Sequence, residues 1–404
     1  MDNPPAPRHD AGARADTDAD DREGAVETSK AQKSLNRVLL IVGAVAVAEW
    51  WIRVTLQINE RGDDAFFIDF VAFWAGAKLA LQGQAMAVWD QAAFALAQAA
   101  PRAEGTQMPW FYPPTWQMAM VPYGLLPFSV AWGVFIVISL ALYMRALWRV
   151  NPSAWIGLTV CPTVLLTMML GNNSVLFAGC LALALNRMGR LPRKGVLSGL
   201  LIAALSMKPG LGPLIPVALM AGGRWRVILW ATIGTLTLAT LATLTMGMGH
   251  WQAFFDGLGF AINRVVPGSK DAAGMVSWYA LAQNLGLDDA AMVLHLALLA
   301  VAAVLLVLVW RRGAAAFDWA AAMLMIGVAL TSPHAFHYEL VFAMAGFAFA
   351  LRAGLDWGGK LILALLWLAP LQLLLPVQVL PTVLIASPVA SAAFLYCAWR
   401  GLRA

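Results

Sequence analysis

"KGVLSGLLIAALSMKPGLGPLIPVALMAGGR", residues 194–224, is apolar along both arms and broken in the middle. Lys194 and Arg224 close its ends, and Lys208-Pro209-Gly210 interrupts it. Each arm has about 14 residues, or ~21 Å of helix at 1.5 Å per residue, against a hydrocarbon core of about 30 Å. Neither arm is long enough to cross a bilayer. Pro209 cannot donate a helical hydrogen bond, and Gly210 and Gly212 follow it, so the helix must break there. Backbone freed at membrane depth survives only against protein or a wet cavity. The stretch predicts an all-α, polytopic membrane fold containing a broken or re-entrant segment with a lysine at its turn.

The rest of the chain agrees. Of 404 residues, 61% are apolar, against about 45–50% in an ordinary soluble domain. Only 12% are charged, and the mean hydropathy is +0.71. Apolar runs recur from residue 38 to the C-terminus, separated by small basic clusters. The formal charge of +5 therefore reflects loop topology. A nucleic-acid partner is excluded, because no basic, aromatic-interleaved soluble module exists to hold one. Cys161, Cys180 and Cys397 lie inside apolar runs without ligand spacing, which indicates neither a disulfide framework nor a metal, and no cofactor is implied. Residues 1–34 are polar and rich in Asp, Ala and Pro, and predict a disordered tail. Residues 35–404 form one membrane domain. No cleavable signal peptide precedes the first apolar run, 38–56, which reads as an uncleaved anchor.

Charge sets the orientation. Basic residues cluster at Lys30, Lys33 and Arg37; Arg145 and Arg149; Arg187, Arg190, Arg193 and Lys194; Arg224 and Arg226; Arg311 and Arg312; Arg352 and Lys360; and Arg400 and Arg403. Placing every cluster in the cytoplasm, with both termini, gives about twelve transmembrane or re-entrant segments in a multi-pass protein of the cell membrane. The chemically unusual residues then gather outside: Asp63, Asp64, Asp69, Tyr112, Asn172, Asn173, Lys208, Arg264, His334, His337 and Glu339. Any active site faces the extracytoplasmic side.

The first outer loop, about 57–126, is too long for a connector. In it "VAFWAGAKLALQG" (71–83) has the spacing of a short interfacial helix, with Lys78 placed to snorkel. Asp69 precedes it among Phe66, Phe67, Phe70 and Phe73. It reads as a first-turn or capping residue, as a catalytic base, or as both. "YPP" (112–114) reads as an extended turn that stops a helix. An ionisable residue at membrane depth is a functional candidate, so Lys208 at its break is placed to meet an anion. His334, His337 and Glu339 in "SPHAFHYEL" read as hydrogen-bonding contacts to a phosphate or sugar; their spacing lacks a third zinc-ligand motif. Asp63, Asp64 and Asp69 offer a weaker alternative, a divalent-cation site.

Five motifs in order, "DFVAFWAGAKLALQG", "FYPP", "GNNS", "KPGL" and "SPHAFHYEL", resemble glycosyltransferase family 87. The resemblance spans about 35–400. It implies a GT-C fold and transfer of a sugar, mannose in the best-known members, from a polyprenyl-phosphate donor to a lipid or glycan acceptor. It also implies a catalytic aspartate in the first outer loop, at the position of Asp69. The chain departs from the pattern where Asn172 and Glu339 stand for an expected Gln and Asp. The implied chemistry suits the residues. A sugar phosphate already carries a good leaving group, so one general base suffices. Lys208, Arg264 or His337 would hold the departing phosphate. Tyr112, Asn172, Asn173, His334 and Glu339 are the candidate substrate contacts. A lipid or glycan transporter or flippase is the rival reading, since broken helices and a buried lysine suit it too. A polymerase or ligase of lipid-linked glycans would need a longer second outer loop than 247–290.

Overall fold

A computed structural model describes residues 68–101, 108–191, 194–260, 274–374 and 380–404, with Val38 and Glu49 as isolated positions. The polar tail, the 38–56 span apart from those two residues, Asp63, Asp64 and Arg264 lie outside the described residues. What is described is helical, with one isolated antiparallel bridge between Met275 and Phe336.

The helices run in chain order as α1 (Ile68–Leu81), α2 (Gln91–Ala99), α3 (Pro114–Gly124), α4 (Phe128–Val150), α5 (Trp155–Thr159) and α6 (Pro162–Leu170). There follow α7 (Ser174–Arg190), α8 (Val196–Ala204), α9 (Leu214–Ala221), α10 (Trp225–Met246), α11 (Gly249–Phe260) and α12 (Trp278–Asn284). The last are α13 (Ala291–Trp310), α14 (Phe317–Thr331), α15 (Leu340–Ala353), α16 (Trp357–Leu368) and α17 (Val383–Arg403).

Among the described residues, four segments are long and apolar enough to cross a membrane by length and composition: α4, α10, Asp288–Trp310 and α17, of 21 to 23 residues. Val196–Met207, Phe317–Thr331 and Trp357–Leu371 are shorter apolar helices.

Burial sorts the bundle. α14 is buried along its length except at Asp318, and α15 along most of it, as expected of helices apolar on nearly every face. Their sequences alternate bulky residues with Ala and Gly, which lets the backbones come close. A Cβ at Gly346 would stand 3.0 Å from the Ala322 carbonyl oxygen. α4, α7 and α17 pack around this hairpin, and Tyr143 of α4 donates to the Val341 carbonyl at 3.1 Å. By contrast α10 keeps Leu229, Leu236 and Leu244 exposed, and α13 keeps Val293, Val301 and Val304 exposed. Such faces suit lipid.

The break at Lys208 is as the sequence predicts. α8 ends in a 3-10 turn, Leu205–Met207; Lys208 leaves helical geometry at φ −134°; and a second 3-10 turn, Pro209–Leu211, leads toward α9. Two other expectations are corrected. "YPP" opens a helix instead of stopping one: Pro113 is extended at the N-cap and Pro114 occupies the first turn of α3. A proline costs nothing there, because that N–H has no intrahelical acceptor. The helix of 71–83 is also not a half-immersed one. Phe70 through Ala75, Ala77 and Leu79 are all buried, and Lys78 lies 5.3 Å from the centre of the Trp74 ring. Apolar on all sides, α1 packs on α3 and roofs the site described next.

Candidate active site

The site is assembled by three helix starts and one break. The first is the "GNNS" turn. Gly171 adopts φ +68° at the end of α6, its N–H bonds the Met168 carbonyl, and the Asn172 N–H bonds the Thr167 carbonyl. That pair of bonds is the Schellman ending, and the left-handed residue it requires explains the glycine. A side chain at Gly171 would also strike the Phe70 side chain. Asn172 and Asn173 are thereby fixed beside α1, at the start of α7.

Asn172 then reaches both ways. Its Nδ2 donates to Asp69 Oδ2 at 3.0 Å. Its Oδ1 accepts from Ser174 N at 2.9 Å, Ser174 Oγ at 2.7 Å and Lys208 Nζ at 3.4 Å. Donors on the oxygen side and an acceptor on the nitrogen side fix the amide in one orientation. Lys208 Nζ donates to Ser174 Oγ at 2.8 Å and pairs with Glu339 Oε1 at 2.8 Å. The other oxygen of Glu339 accepts the Phe336 N–H at 2.8 Å. The Tyr338 ring lies 4.9 Å from the ammonium. Asp69 of α1, Asn172 and Ser174 at α7, Lys208 at the break and Glu339 before α15 thus form one connected network.

Its electrostatics follow from depth. Burial pushes the Asp69 carboxyl up to about 6, against the Asn172 hydrogen bond and the Lys208 charge, which lower it. Glu339 is also held above the ordinary carboxylate range by burial, although Lys208, the Phe336 N–H and Ser174 oppose the shift. Burial, then the charges of Asp69 and Glu339, keeps the Tyr112 phenol far above its usual value, so it remains a donor. Tyr338 behaves alike, with Glu339 the first charge to act on it after burial.

Tyr112, Asn173 and His337 border the network. Phe73, Trp110 and Trp116 pack on the Tyr112 ring, and Trp110 Nε1 donates to its carbonyl at 2.7 Å. Asn173 is fully buried and faces the Tyr112 hydroxyl, yet neither amide atom makes an aligned hydrogen bond among the described residues. His337 is pinned through its backbone: its N–H bonds the Gly274 carbonyl at 2.7 Å and its carbonyl accepts from Thr163 Oγ1 at 2.7 Å. Both ring nitrogens are buried without a partner among the described residues. Burial lowers the imidazole to about 4, so at neutral pH it offers a hydrogen bond and no charge. His334 sits apart, with His295 of α13 as its electrostatic neighbour.

Sequence reading missed two members. Ser174 bridges Lys208, Glu339 and Asn172, and its only signal was its place in "GNNS". Tyr338 lies beneath the ammonium, hidden between His337 and Glu339, which drew attention first.

The model of glycosyltransferase family 87 matches residues 110–333, more than half of the chain. The chain belongs to glycosyltransferase family 87. It is therefore an enzyme of the transferase type, with a sugar donor and an acceptor as its substrates. The matched segment of this glycosyltransferase includes Tyr112, Asn172, Asn173, Ser174 and Lys208, and the fold adds Asp69 and Glu339 from outside it. No curated protein and no solved structure matches the chain.

Proposed function

We propose that this glycosyltransferase moves a hexose, mannose foremost, from a polyprenyl-phosphate donor to a hydroxyl of a lipid or glycan acceptor at the extracytoplasmic face. The reading has a GT-C architecture of about twelve segments, with both termini in the cytoplasm. The observation that carries it is the pairing, through one amide, of a raised and partly open carboxylate with a lysine at a helix break.

Asp69 takes the proton of the acceptor hydroxyl as that oxygen attacks the anomeric carbon. The bond to the phosphate oxygen breaks on the opposite face, and the configuration inverts. Asn172 holds Oδ2, which leaves Oδ1 to receive the proton. A base with its pKa near the working pH combines availability with driving force. The phosphate leaves as an anion, and Lys208 from the break stabilises it, joined by Arg264. Tyr112, Asn173 and His337 supply neutral hydrogen bonds to the sugar or phosphate. A transporter would have its ionisable groups along a path, whereas Asp69, Lys208 and Glu339 are gathered in one network.

Purified protein given polyprenyl-phosphate mannose and a membrane-lipid extract should form one new glycolipid, in EDTA as in its absence. A nucleotide sugar should not replace the donor. Activity only with the nucleotide sugar, or only with added Mg²⁺ or Mn²⁺, would overturn the reading. Leu96 of α2, 76% exposed, reports sidedness. A Leu96→Cys variant should react with an impermeant reagent in intact cells, over a low background from the three buried native cysteines.

A further inference from the structure

Lys208 has no hydrogen to spare. Its ammonium has three N–H groups, and these meet Ser174 Oγ, Glu339 Oε1 and Asn172 Oδ1, with the Tyr338 ring alongside. A phosphate cannot bind that ammonium closely while Glu339 occupies it.

The charged and titratable groups facing Glu339 come from every element around it. They are Lys208 from the break, Asp69 from α1, Tyr112 from the segment before α3, and Tyr338 from its own turn. The tyrosines are neutral. The described network therefore holds one positive and two negative charges, and a donor phosphodiester would add a third negative one. A buried site facing such an excess takes up a proton more readily than it keeps the charge.

Either carboxylate could accept the proton in principle, but they are not equivalent. Asp69 is partly open and keeps its Asn172 hydrogen bond whatever Lys208 does. Glu339 is 3% exposed and Lys208 is the cation that pairs with it. Taking on the reading of Lys208 as the phosphate site, we propose that Glu339 stands in for the donor phosphate in the free enzyme. Donor binding then displaces Glu339 from Lys208 with uptake of one proton from water onto its carboxylate. The net charge of the network is −1 before and after. Protonated Glu339 keeps the Phe336 N–H on one oxygen and gains an O–H on the other, which can donate to Ser174 Oγ or to the phosphate itself. Burial already holds its carboxyl high while Lys208 is still in place, so release from Lys208 moves it further the same way.

The test needs a ligand with no titration of its own. A farnesyl methyl phosphodiester has a single fixed negative charge near neutral pH. Its binding to the detergent-solubilised full chain is measured calorimetrically in two buffers of different ionisation enthalpy. The wild type should take up close to one proton per ligand, and its Kd should rise about tenfold per pH unit on the alkaline side. Glu339→Gln, which mimics the protonated form, should bind at least as tightly, with no proton uptake and a flat pH profile. Asp69→Asn should keep the uptake. No uptake by the wild type, which involves no variant, would overturn the exchange, as would uptake that persists in Glu339→Gln or disappears in Asp69→Asn. Lys208→Met separates the two levels. Normal binding by this variant removes the phosphate assignment and the exchange with it. Lost binding, with no proton uptake by the wild type, leaves the assignment standing and removes the exchange alone.

Discussion

The hairpin of α14 and α15 has an ion pair at each end, and the two are built differently. At one end Arg352 grips Asp318 with two parallel bonds, Nη2 to Oδ1 at 2.6 Å and Nε to Oδ2 at 2.8 Å. Its remaining nitrogen, Nη1, donates to Asn186 Oδ1 and the Val150 carbonyl, and Phe349 lies under the guanidinium. One charge meets one charge in the planar fork that arginine is suited to. At the other end Lys208 meets Glu339 through one oxygen and shares itself with Ser174 and Asn172, while Asp69 adds a second negative charge. Asn173 and His337 stand nearby with polar atoms unpaired among the described residues. The first pair closes its own account and clasps four segments together. The second leaves charge and hydrogen-bonding capacity over, which is what a site that must receive a charged substrate requires.

Asp69 offers the largest break. Asp69→Asn keeps the shape, and its amide oxygen can still accept from Asn172, but it cannot take a proton. Transfer should fall about 10²- to 10⁴-fold, the usual contribution of a positioned general base, with donor binding retained. In the wild type, kcat/KM should decline on the acid side below about pH 6, as the carboxyl that burial has raised becomes protonated. Transfer at near wild-type rate by Asp69→Asn would reduce Asp69 to a first-turn helix residue. The base would then have to be sought at Glu339.

Exchanging the fates of the two cations sharpens the contrast. Lys208→Met should abolish transfer while the protein inserts and purifies normally, because a methionine fills the volume and leaves Glu339 free to protonate. Arg352→Met should do the reverse. It strands Asp318, Asn186 and the Val150 carbonyl, for a loss of about 1–3 kcal/mol, yet leaves the residual folded enzyme active. Activity per folded molecule and the thermal midpoint, measured on the same preparations, separate the two roles. Matching losses in both variants would erase the distinction.

How much of this was legible follows from what each feature rests on. The broken helix was plain, since Lys208-Pro209-Gly210 in a stretch too short to span twice leaves the backbone little choice. Asp69, Asn172, Lys208 and Glu339 stood out as polar residues in apolar surroundings, and the fold joins them. The joining itself was not readable: that Asn172 bridges Asp69 to Lys208 depends on the packing of α1 against the α6–α7 turn, which no local pattern encodes. The two misreadings have similar causes. "YPP" was given a proline's power to end a helix without its aptitude for beginning one. The helix of 71–83 was read as half-immersed from its local spacing, whereas its burial depends on packing against α3 that only tertiary structure reveals.

The smallest expected effect tests the comparison through stability. The Asp69 carboxyl stands at about 6 in the folded protein against an ordinary 3.8. A carboxyl raised on folding contributes stability that is fully present below about pH 4 and lost as pH rises through 6, because the folded state must then hold a poorly compensated charge. Two units correspond to roughly 3 kcal/mol, and the partial exposure of Asp69 reduces this to about 1–2. Asp69→Asn removes the charge. Its thermal midpoint in detergent should therefore exceed that of the wild type above pH 6 by a few degrees, and the gap should close as pH falls toward 4. Asp318→Asn should lower the midpoint over the same range, since it leaves the Arg352 guanidinium without its counter-charge. The same chemical change, a carboxylate made an amide, should thus stabilise one end of the molecule and weaken the other. A drop in the midpoint of Asp69→Asn at alkaline pH would mean that Asp69 is a structural partner like Asp318, and the contrast between the two ends would fail.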